Sequence, residues 1–173
     1  MNETEKRIIQ LIDEHREELI TMGNELYTRA ERGFAEVNTS AFIADKLKKL
    51  GLNVQTGLAG TGLRASAGKE GGVNVALISE LDGILCPSHP QAAPDGMSHA
   101  CGHHAQMTAM LGAAIALTCP EVAAELDGQA TFFACPLGRI SQRRYPLRTQ
   151  GEKYLHPLRR KGGADLPRLF QGY

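Results

Sequence analysis

The sequence predicts an α/β domain over residues 1–136, with a mixed sheet that has helices on both sides. Two helical patterns, three short strand patterns, a third helical pattern and a last strand follow one another in this order. The chain has 173 residues, of which 42% are hydrophobic and 22% are charged, enough for one globular core. Its 19 basic and 19 acidic residues cancel, so the net charge predicts neither a nucleic acid nor a membrane partner.

The N-terminal segment has the apolar spacing of a long amphipathic helix. Apolar residues and one histidine recur at alternating steps of four and three, at Ile8, Ile12, His15, Leu19, Met22 and Leu26. This helix is predicted to end near Arg32 and Gly33. A second helix is predicted with Asn38 or Thr39 as its cap, with Phe42, Ile43, Leu47 and Leu50 on one face, and with Gly51 as its stop.

The remaining elements follow from strand and helix patterns. Strands are predicted over 52–56, 63–67 and 73–78, separated by glycine turns. The third is almost continuously apolar, which predicts a central strand covered on both faces. A buried helix over 104–117 and a strand over 129–135 complete the domain, after a loop over 86–99 without periodicity.

Targeting and cysteine patterns indicate a cytoplasmic protein. The N-terminus has no secretory signal, and no window approaches the roughly 18 apolar residues of a membrane span. The four cysteines are irregularly spaced at Cys86, Cys101, Cys119 and Cys135, so a disulfide framework is not expected. Buried thiols, a metal site or a nucleophile remain as interpretations.

The most informative segment is Met97–His104, MSHACGHH, which has three imidazoles and one thiol. Alternate residues of an extended loop project to one side, so Cys101 and His103 could reach one ion of the zinc type. A buried thiol beside ordinary loop histidines is an equal alternative on spacing alone. A carboxylate, Asp82, follows the 73–78 strand, where ligand crevices form in α/β folds.

Five segments together resemble a known family. They are GFAEVNTSAFIADKLKKLGLNV, GLAGTGLRA, ELDGI, HACGHHAQMTAMLGAA and LDGQATFFACP. In this order they resemble the amino-terminal part of the zinc-dependent amidohydrolases that cleave N-acyl amino acids. This is the hippurate hydrolase, auxin-conjugate hydrolase and aminobenzoyl-glutamate hydrolase branch of the aminoacylase and carboxypeptidase superfamily. The resemblance covers residues 25–136.

The resemblance implies a fold, a set of ligands and a substrate class. The fold is the N-terminal portion of a zinc-peptidase-like catalytic domain, and it is incomplete. Cys101 and His103 would be metal ligands, and Asp82 would orient a ligand or the loop. His99 and His104 would be candidates to support the ligands, although His99 could equally be an ordinary structural histidine, and His104 stands where the family has aspartate or asparagine. Two zinc or manganese ions and an N-acyl amino acid or small dipeptide-like amide are implied.

The resemblance ends at Pro136. The family's strand runs into paired glutamates, one a general base and one a ligand, whereas this chain has Pro136, Leu137, Gly138 and Arg139. No carboxylate occurs between Asp127 and Glu152, and the family's dimerisation domain and later histidine ligands are absent. We therefore expect no catalytic general base here, and an amidohydrolase that is truncated and inactive alone.

The charge also changes at this point. Residues 137–173 are basic and without periodicity, and we expect a disordered or frame-shifted tail, the alternative being a basic arm for an anionic partner. The alternative function is a non-catalytic fragment that binds metal weakly or pairs with another polypeptide. A thiol hydrolase that uses Cys101 and His103 is disfavoured, because next-but-one loop neighbours seldom have the required geometry.

Overall fold

The computed structural model describes residues 1–136, and the predicted tail, 137–173, lies outside the described residues. Helices and strands occur in the predicted order, with two short strands and one short helix in addition. Their bounds are α1 Glu3–Glu14, α2 Arg16–Tyr27, α3 Val37–Lys49, β1 Gln55–Leu58, β2 Gly62–Gly68, β3 Val73–Glu80, β4 Ile84–Leu85, β5 Met97–Ser98, α4 His103–Thr118, α5 Pro120–Ala124 and β6 Gly128–Cys135.

The predicted long N-terminal helix is two helices, so that prediction is wrong. The backbone leaves helical geometry at His15, with φ −95° and ψ 11°, which ends α1 and begins α2. Apolar spacing continues across this break, which is why periodicity alone could not locate it. The second helix ends at Tyr27 rather than near Arg32, and the Thr28 hydroxyl donates to the Glu25 carbonyl, 2.9 Å away.

Helix α3 begins two or three residues earlier than a cap at Asn38 or Thr39 would place it, with Glu36 at its N-cap position, and a distant side chain binds the N–H groups of its first turn. Asn38 and Thr39 lie in its first turn, where their main-chain N–H groups donate to the Glu31 carboxylate at 3.2 and 2.7 Å. This carboxylate accepts from N–H groups that have no partner within the helix. The predicted stop is confirmed, because Gly51 follows the C-cap with φ +82°.

The main sheet is mixed, with four strands in the order β1-β2-β6-β3. Strand β3 pairs parallel with β6, and the other neighbours pair antiparallel. Within residues 1–136, β3 is therefore an edge strand, and its Val73, Val75 and Ile78 side chains are 57–75% exposed. The prediction of a central, covered strand is wrong, because an apolar run does not show which neighbours the strand acquires.

The buried core lies on one face of the sheet. Ala65, Phe132 and Leu77 are neighbours across β2, β6 and β3, and Phe132 is fully buried. This face packs against the three helices α2, α3 and α4 in one apolar cluster. The predicted α/β class with a mixed sheet flanked by helices is confirmed. The further prediction of helices on both sides differs from the structure, because within residues 1–136 the apolar contacts between the sheet and the helices lie on this one face.

Helix α4 is the central helix of the domain. It is apolar on nearly all sides, as predicted, and eight of its residues are buried. Gly112 allows the Leu19 and Ile12 side chains to approach, and a Cβ there would lie 3.4 Å from Leu19. Helix α4 also packs against β3, and its first residue, His103, lies next to Asp82 just after that strand.

Two further observations concern the described residues. No helix in this part of the chain is long and apolar enough to cross a membrane. All four cysteines are free, in agreement with the predicted lack of disulfides.

Candidate metal centre

The carboxyl end of β3 and the N-terminus of α4 bring three potential metal ligands together. Glu80 is the last residue of β3, Asp82 follows two positions later, and His103 is the first residue of α4. The Glu80 Oε2 lies 2.9 Å from His103 Nε2, and the Asp82 Oδ1 lies 3.2 Å from His103 Nδ1. One ligand atom from each residue lies within 4.8 Å of the others.

The hydrogen bond of His103 determines which ring nitrogen can bind an ion. Its Nδ1 lies 2.8 Å from the Asp82 carbonyl oxygen, which can only accept, so Nδ1 carries a proton. In the neutral ring Nε2 then has the free lone pair. A main-chain carbonyl that fixes the tautomer in this way is usual for a metal-binding histidine.

The Asp82 carboxylate is buried, and one of its oxygens has no hydrogen bond within residues 1–136. The side chain is about 3% exposed, and the nearby His103 Nδ1 donates to the main-chain oxygen instead of to Oδ1. Burial raises the pKa of Asp82, while His103 opposes this rise and Glu36 and Glu80 add to it. A cation near Asp82 and Glu80 would offset the desolvation cost of the buried Asp82 carboxylate and the repulsion between the two acidic groups.

The three residues therefore fit a divalent metal ion. Imidazole nitrogen and carboxylate oxygen are accepted by zinc and manganese alike, and the unpartnered Asp82 Oδ1 is available to a cation. The structure places His103 beside Asp82, near the carboxyl end of β3. Glu80 is a candidate ligand that the sequence analysis missed, although its spacing from Asp82 would have placed both side chains on one side of an extended chain.

Cys101 does not belong to this group of three. It is exposed and lies in a turn that the Gly102 N–H closes by donating to the His99 carbonyl at 3.0 Å. Gly102 has φ +90°, so the main chain bends between Cys101 and His103. The role of Cys101 as a ligand stays a prediction.

His99 and His104 lie beside the centre. Their ring centroids are 5.6 Å apart, and His104 also packs on the Tyr27 ring at 4.6 Å. Burial lowers the pKa of His99 to about 4, and the neighbouring His104 and His103 contribute to this shift. Burial also lowers the pKa of His104, again with a contribution from His103. Tyr27 is a second residue of this region that the sequence analysis did not identify.

Gly83 fixes the main chain next to Asp82. Its N–H donates to the Glu31 carbonyl at 2.7 Å, which joins the segment after β3 to the segment before α3. A Cβ at Gly83 would lie 2.9 Å from the Ala30 Cβ and 3.0 Å from the Ser98 carbonyl oxygen. The Asp82 carbonyl that holds His103 is therefore part of a close main-chain contact.

Comparison with known proteins supports the resemblance. The chain is 32% identical over 115 residues to YhaA of Bacillus subtilis, which is named as an amidohydrolase, and the match covers 64% of this chain and 29% of YhaA. It is 31% identical over 101 residues to the Arabidopsis thaliana IAA-amino acid hydrolase ILR1-like 4, covering 56% of this chain and 23% of that protein. No family model matches the chain.

Another match has a name of a different kind. A Rhodococcus jostii protein named as glutamate–cysteine ligase 2-3 is 35% identical over 104 residues, covering 58% of this chain and 13% of that protein. The chain thus spans between 13% and 29% of the length of these three curated relatives. Because each match is to a part of a longer protein, the activity of the whole relative does not follow for this chain.

Solved structures show the same fold. The Bacillus subtilis protein YxeP, described as a dinuclear metal-binding peptidase of the M20 family, matches with a TM-score of 0.63 and 28% identity. That match covers 72% of this chain and 36% of YxeP. An aminohydrolase of methicillin-resistant Staphylococcus aureus matches in fold, with a TM-score of 0.70, 22% identity and coverage of 79% and 36%. The fold is that of part of an M20 catalytic domain.

Proposed function

Because this chain is similar to an amidohydrolase and an IAA-amino acid hydrolase in sequence and to an M20 family peptidase in structure, we propose that residues 1–136 form a metal-binding part of an amidohydrolase. The observation that carries this proposal is the group of Glu80, Asp82 and His103 at the carboxyl end of β3. The proposed substrate class is an N-acyl amino acid or a small dipeptide-like amide, and the proposed metal is zinc or manganese.

The residues of the centre have distinct proposed roles. His103 would bind the ion through Nε2, since its Nδ1 proton is held by the Asp82 carbonyl at 2.8 Å. Glu80 and Asp82 would supply carboxylate oxygens, and Cys101 is proposed as a further ligand from the loop before α4. A divalent ion bound there supplies Lewis-acid polarisation of an amide carbonyl and lowers the pKa of a bound water.

Binding and turnover are separate questions for this chain. The proposed reaction also needs a carboxylate that takes a proton from water, and the sequence has none between Asp127 and Glu152. A missing general base typically costs about 10²–10⁴-fold in rate. We therefore propose that this chain binds a metal ion but does not hydrolyse amides alone. The second candidate function is that of a non-catalytic fragment that pairs with another polypeptide.

Zinc binding by the full chain tests the proposed centre. We expect His103→Asn and Glu80→Gln to weaken zinc binding by at least about tenfold in calorimetric titration, because each removes a donor atom. Glu70→Gln is the matched control, since Glu70 is exposed in the turn before β3. Unchanged affinity in both His103→Asn and Glu80→Gln would refute the proposed centre.

Hydrolysis tests the proposed lack of turnover. The zinc-loaded and manganese-loaded chain would be incubated with N-acetyl and N-benzoyl amino acids, and we expect no release of amino acid above the rate of free metal. Cys101→Ala is the control. Turnover that disappears in Cys101→Ala would contradict the proposal and would show that the chain completes a catalytic site without the paired glutamates.

A further inference from the structure

Strand β3 leaves one edge of the main sheet open and unprotected. It is eight residues long, and residues 73–79 contain no charge and no proline. Edge strands of monomeric proteins are commonly short, charged or bulged, because an open row of N–H and C=O groups pairs with other strands. The opposite edge has such protection, since β1 has four residues and a register shift at Gly57, whose φ is +80°. Within the main sheet of residues 1–136, β3 is therefore the edge that is open to pairing.

The hydrogen bonds at the end of β3 show which main-chain groups face the open edge. The Leu81 N–H donates to the last carbonyl of β6 at 2.9 Å, whereas the Glu80 N–H donates to a side chain of α4 at 3.3 Å. Main-chain groups alternate in direction along a strand, so the odd-numbered residues of β3 face β6. The N–H and C=O groups of Asn74, Ala76 and Ile78 therefore point away from the sheet, as three donors and three acceptors.

These six groups are complementary to the same groups of a second copy. In an antiparallel pair, two residues that face each other through outward groups exchange two hydrogen bonds. When Ala76 lies opposite Ala76 of the second copy, Asn74 lies opposite Ile78 and Ile78 opposite Asn74. The three pairs then form six hydrogen bonds and use every outward group. A register that is shifted along the strand pairs at most two of these three residues with one another.

The side chains beside the open edge are apolar on the face that carries the helices. Val73 and Val75 are 75% and 57% exposed, and a groove of about 410 Å³ lies beside them, lined also by Leu77, Leu117 and Leu126. In the antiparallel register described above, Val75 would lie opposite Leu77 of the second copy. Apolar side chains of each copy would therefore cover the groove of the other, which removes apolar surface from water.

We propose that the open edge of β3 is a dimerisation surface, and that its occupant is β3 of a second copy of this chain, antiparallel and with Ala76 at the two-fold axis. The two four-stranded sheets then form one sheet of eight strands, whose outer edges are the protected β1 strands, so assembly ends at the dimer. Each copy covers a strip about 23 Å long and about 10 Å deep. Because this strip is smaller than a standard stable interface, we expect a dissociation constant in the micromolar range.

Sedimentation equilibrium of the full chain over about 1–200 µM tests the dimer, with a chelator present to exclude association through metal ions. We expect a monomer–dimer equilibrium in the wild type. Ala76→Lys should weaken the dimer by at least about tenfold, because the two ammonium groups would lie opposite each other at the two-fold axis. Thr56→Lys is the matched control, since Thr56 is exposed on β1, and it should dimerise like the wild type. Circular dichroism would check that both variants fold.

A mixture of two charge variants tests the register. Ala76→Lys and Ala76→Glu should each be monomeric at concentrations where the wild type is dimeric, and an equimolar mixture should dimerise, because opposite charges then meet at the axis. Ala76 is exposed, so the monomer accommodates either side chain.

Three results would overturn the proposal. They are a wild type that stays monomeric, a dimer that Ala76→Lys leaves unchanged, and a mixture of the two charge variants that stays monomeric. In a monomeric wild type, slow hydrogen exchange of the Asn74, Ala76 and Ile78 amides would identify another segment of the same chain as the occupant. Because the measurements are made without metal, they are independent of the zinc titrations that test the centre of Glu80, Asp82 and His103.

Discussion

Acidification should destabilise this chain through His99, since the folded structure disfavours the protonated form of this residue. Its side chain is buried, and burial together with His104 and His103 lowers the pKa from 6.5 to about 4. The unfolded chain therefore binds a proton near pH 6.5, whereas the folded chain does not until about pH 4. Because the unfolded state binds more protons in this range, stability falls as the pH falls.

The difference between the pKa values of His99 in the unfolded and the folded chain sets the size of this effect. With 6.5 for the unfolded chain and about 4 for the folded chain, the linkage removes about 2 kcal/mol between pH 7 and pH 5. Below pH 4 the loss reaches a limit of about 3 kcal/mol. The raised pKa of Asp82 acts in the opposite direction, since stability from that group increases as the pH falls. His104 acts in the same direction as His99.

Urea unfolding at pH 7 and pH 5, in the presence of a chelator, measures this linkage. We expect the wild-type chain to lose more stability than His99→Gln by about 2 kcal/mol, because the contributions of Asp82 and His104 cancel largely in the comparison. His15→Gln is the control and should behave like the wild type. Equal losses in the wild type and His99→Gln would refute the reasoning.

Three further predictions concern the structure that holds the site. Phe132→Ala should lower the free energy of unfolding, measured with urea, by about 3–5 kcal/mol, since Phe132 is fully buried, and Phe133→Ala should lower it by less. Glu31→Ala should lower the free energy of unfolding by about 1–2 kcal/mol, because the Glu31 carboxylate caps α3, and Glu31→Gln should lower it by less. Thermal unfolding measures both changes. Gly83→Ala should lower the free energy of unfolding by about 1–3 kcal/mol and weaken zinc binding, because the added Cβ would lie 2.9 Å from Ala30 and 3.0 Å from Ser98. A zinc affinity equal to that of the wild type would contradict this prediction.

The elements that could be predicted are those whose own residues determine their form. Helix α4 has an apolar surface on nearly all sides, and Gly51 ends α3 because it adopts φ +82°. The break at His15 could not be predicted, because the apolar spacing is the same on both sides of it. The edge position of β3 within residues 1–136 could not be predicted either. The strand order depends on the pairing of β3 with β6, which lies about fifty residues further along the chain.

The sequence predicted the part of the candidate site whose potential ligands stand close together in the chain. The motif around Cys101 and His103 directed attention to the start of α4, and the structure places His103 against Asp82. Glu80 was missed, because a carboxylate at the end of a strand is more often solvated than functional. Its 2.9 Å contact with His103 Nε2 depends on the packing of β3 against α4, which no local pattern contains.

The contacts that position His103 all lie within residues 1–136, and this is why binding and turnover can be separated in this chain. The Ser79 hydroxyl donates to the Phe133 carbonyl at 3.4 Å, and the Glu80 N–H donates to the Gln106 side chain at 3.3 Å. These bonds hold the end of β3 between β6 and the first turns of α4. The geometry of His103 is therefore fixed by the described fold, whereas the proposed lack of a proton acceptor concerns the sequence after Asp127. We therefore expect this chain to bind an ion whether or not it has a residue for the proton-transfer step.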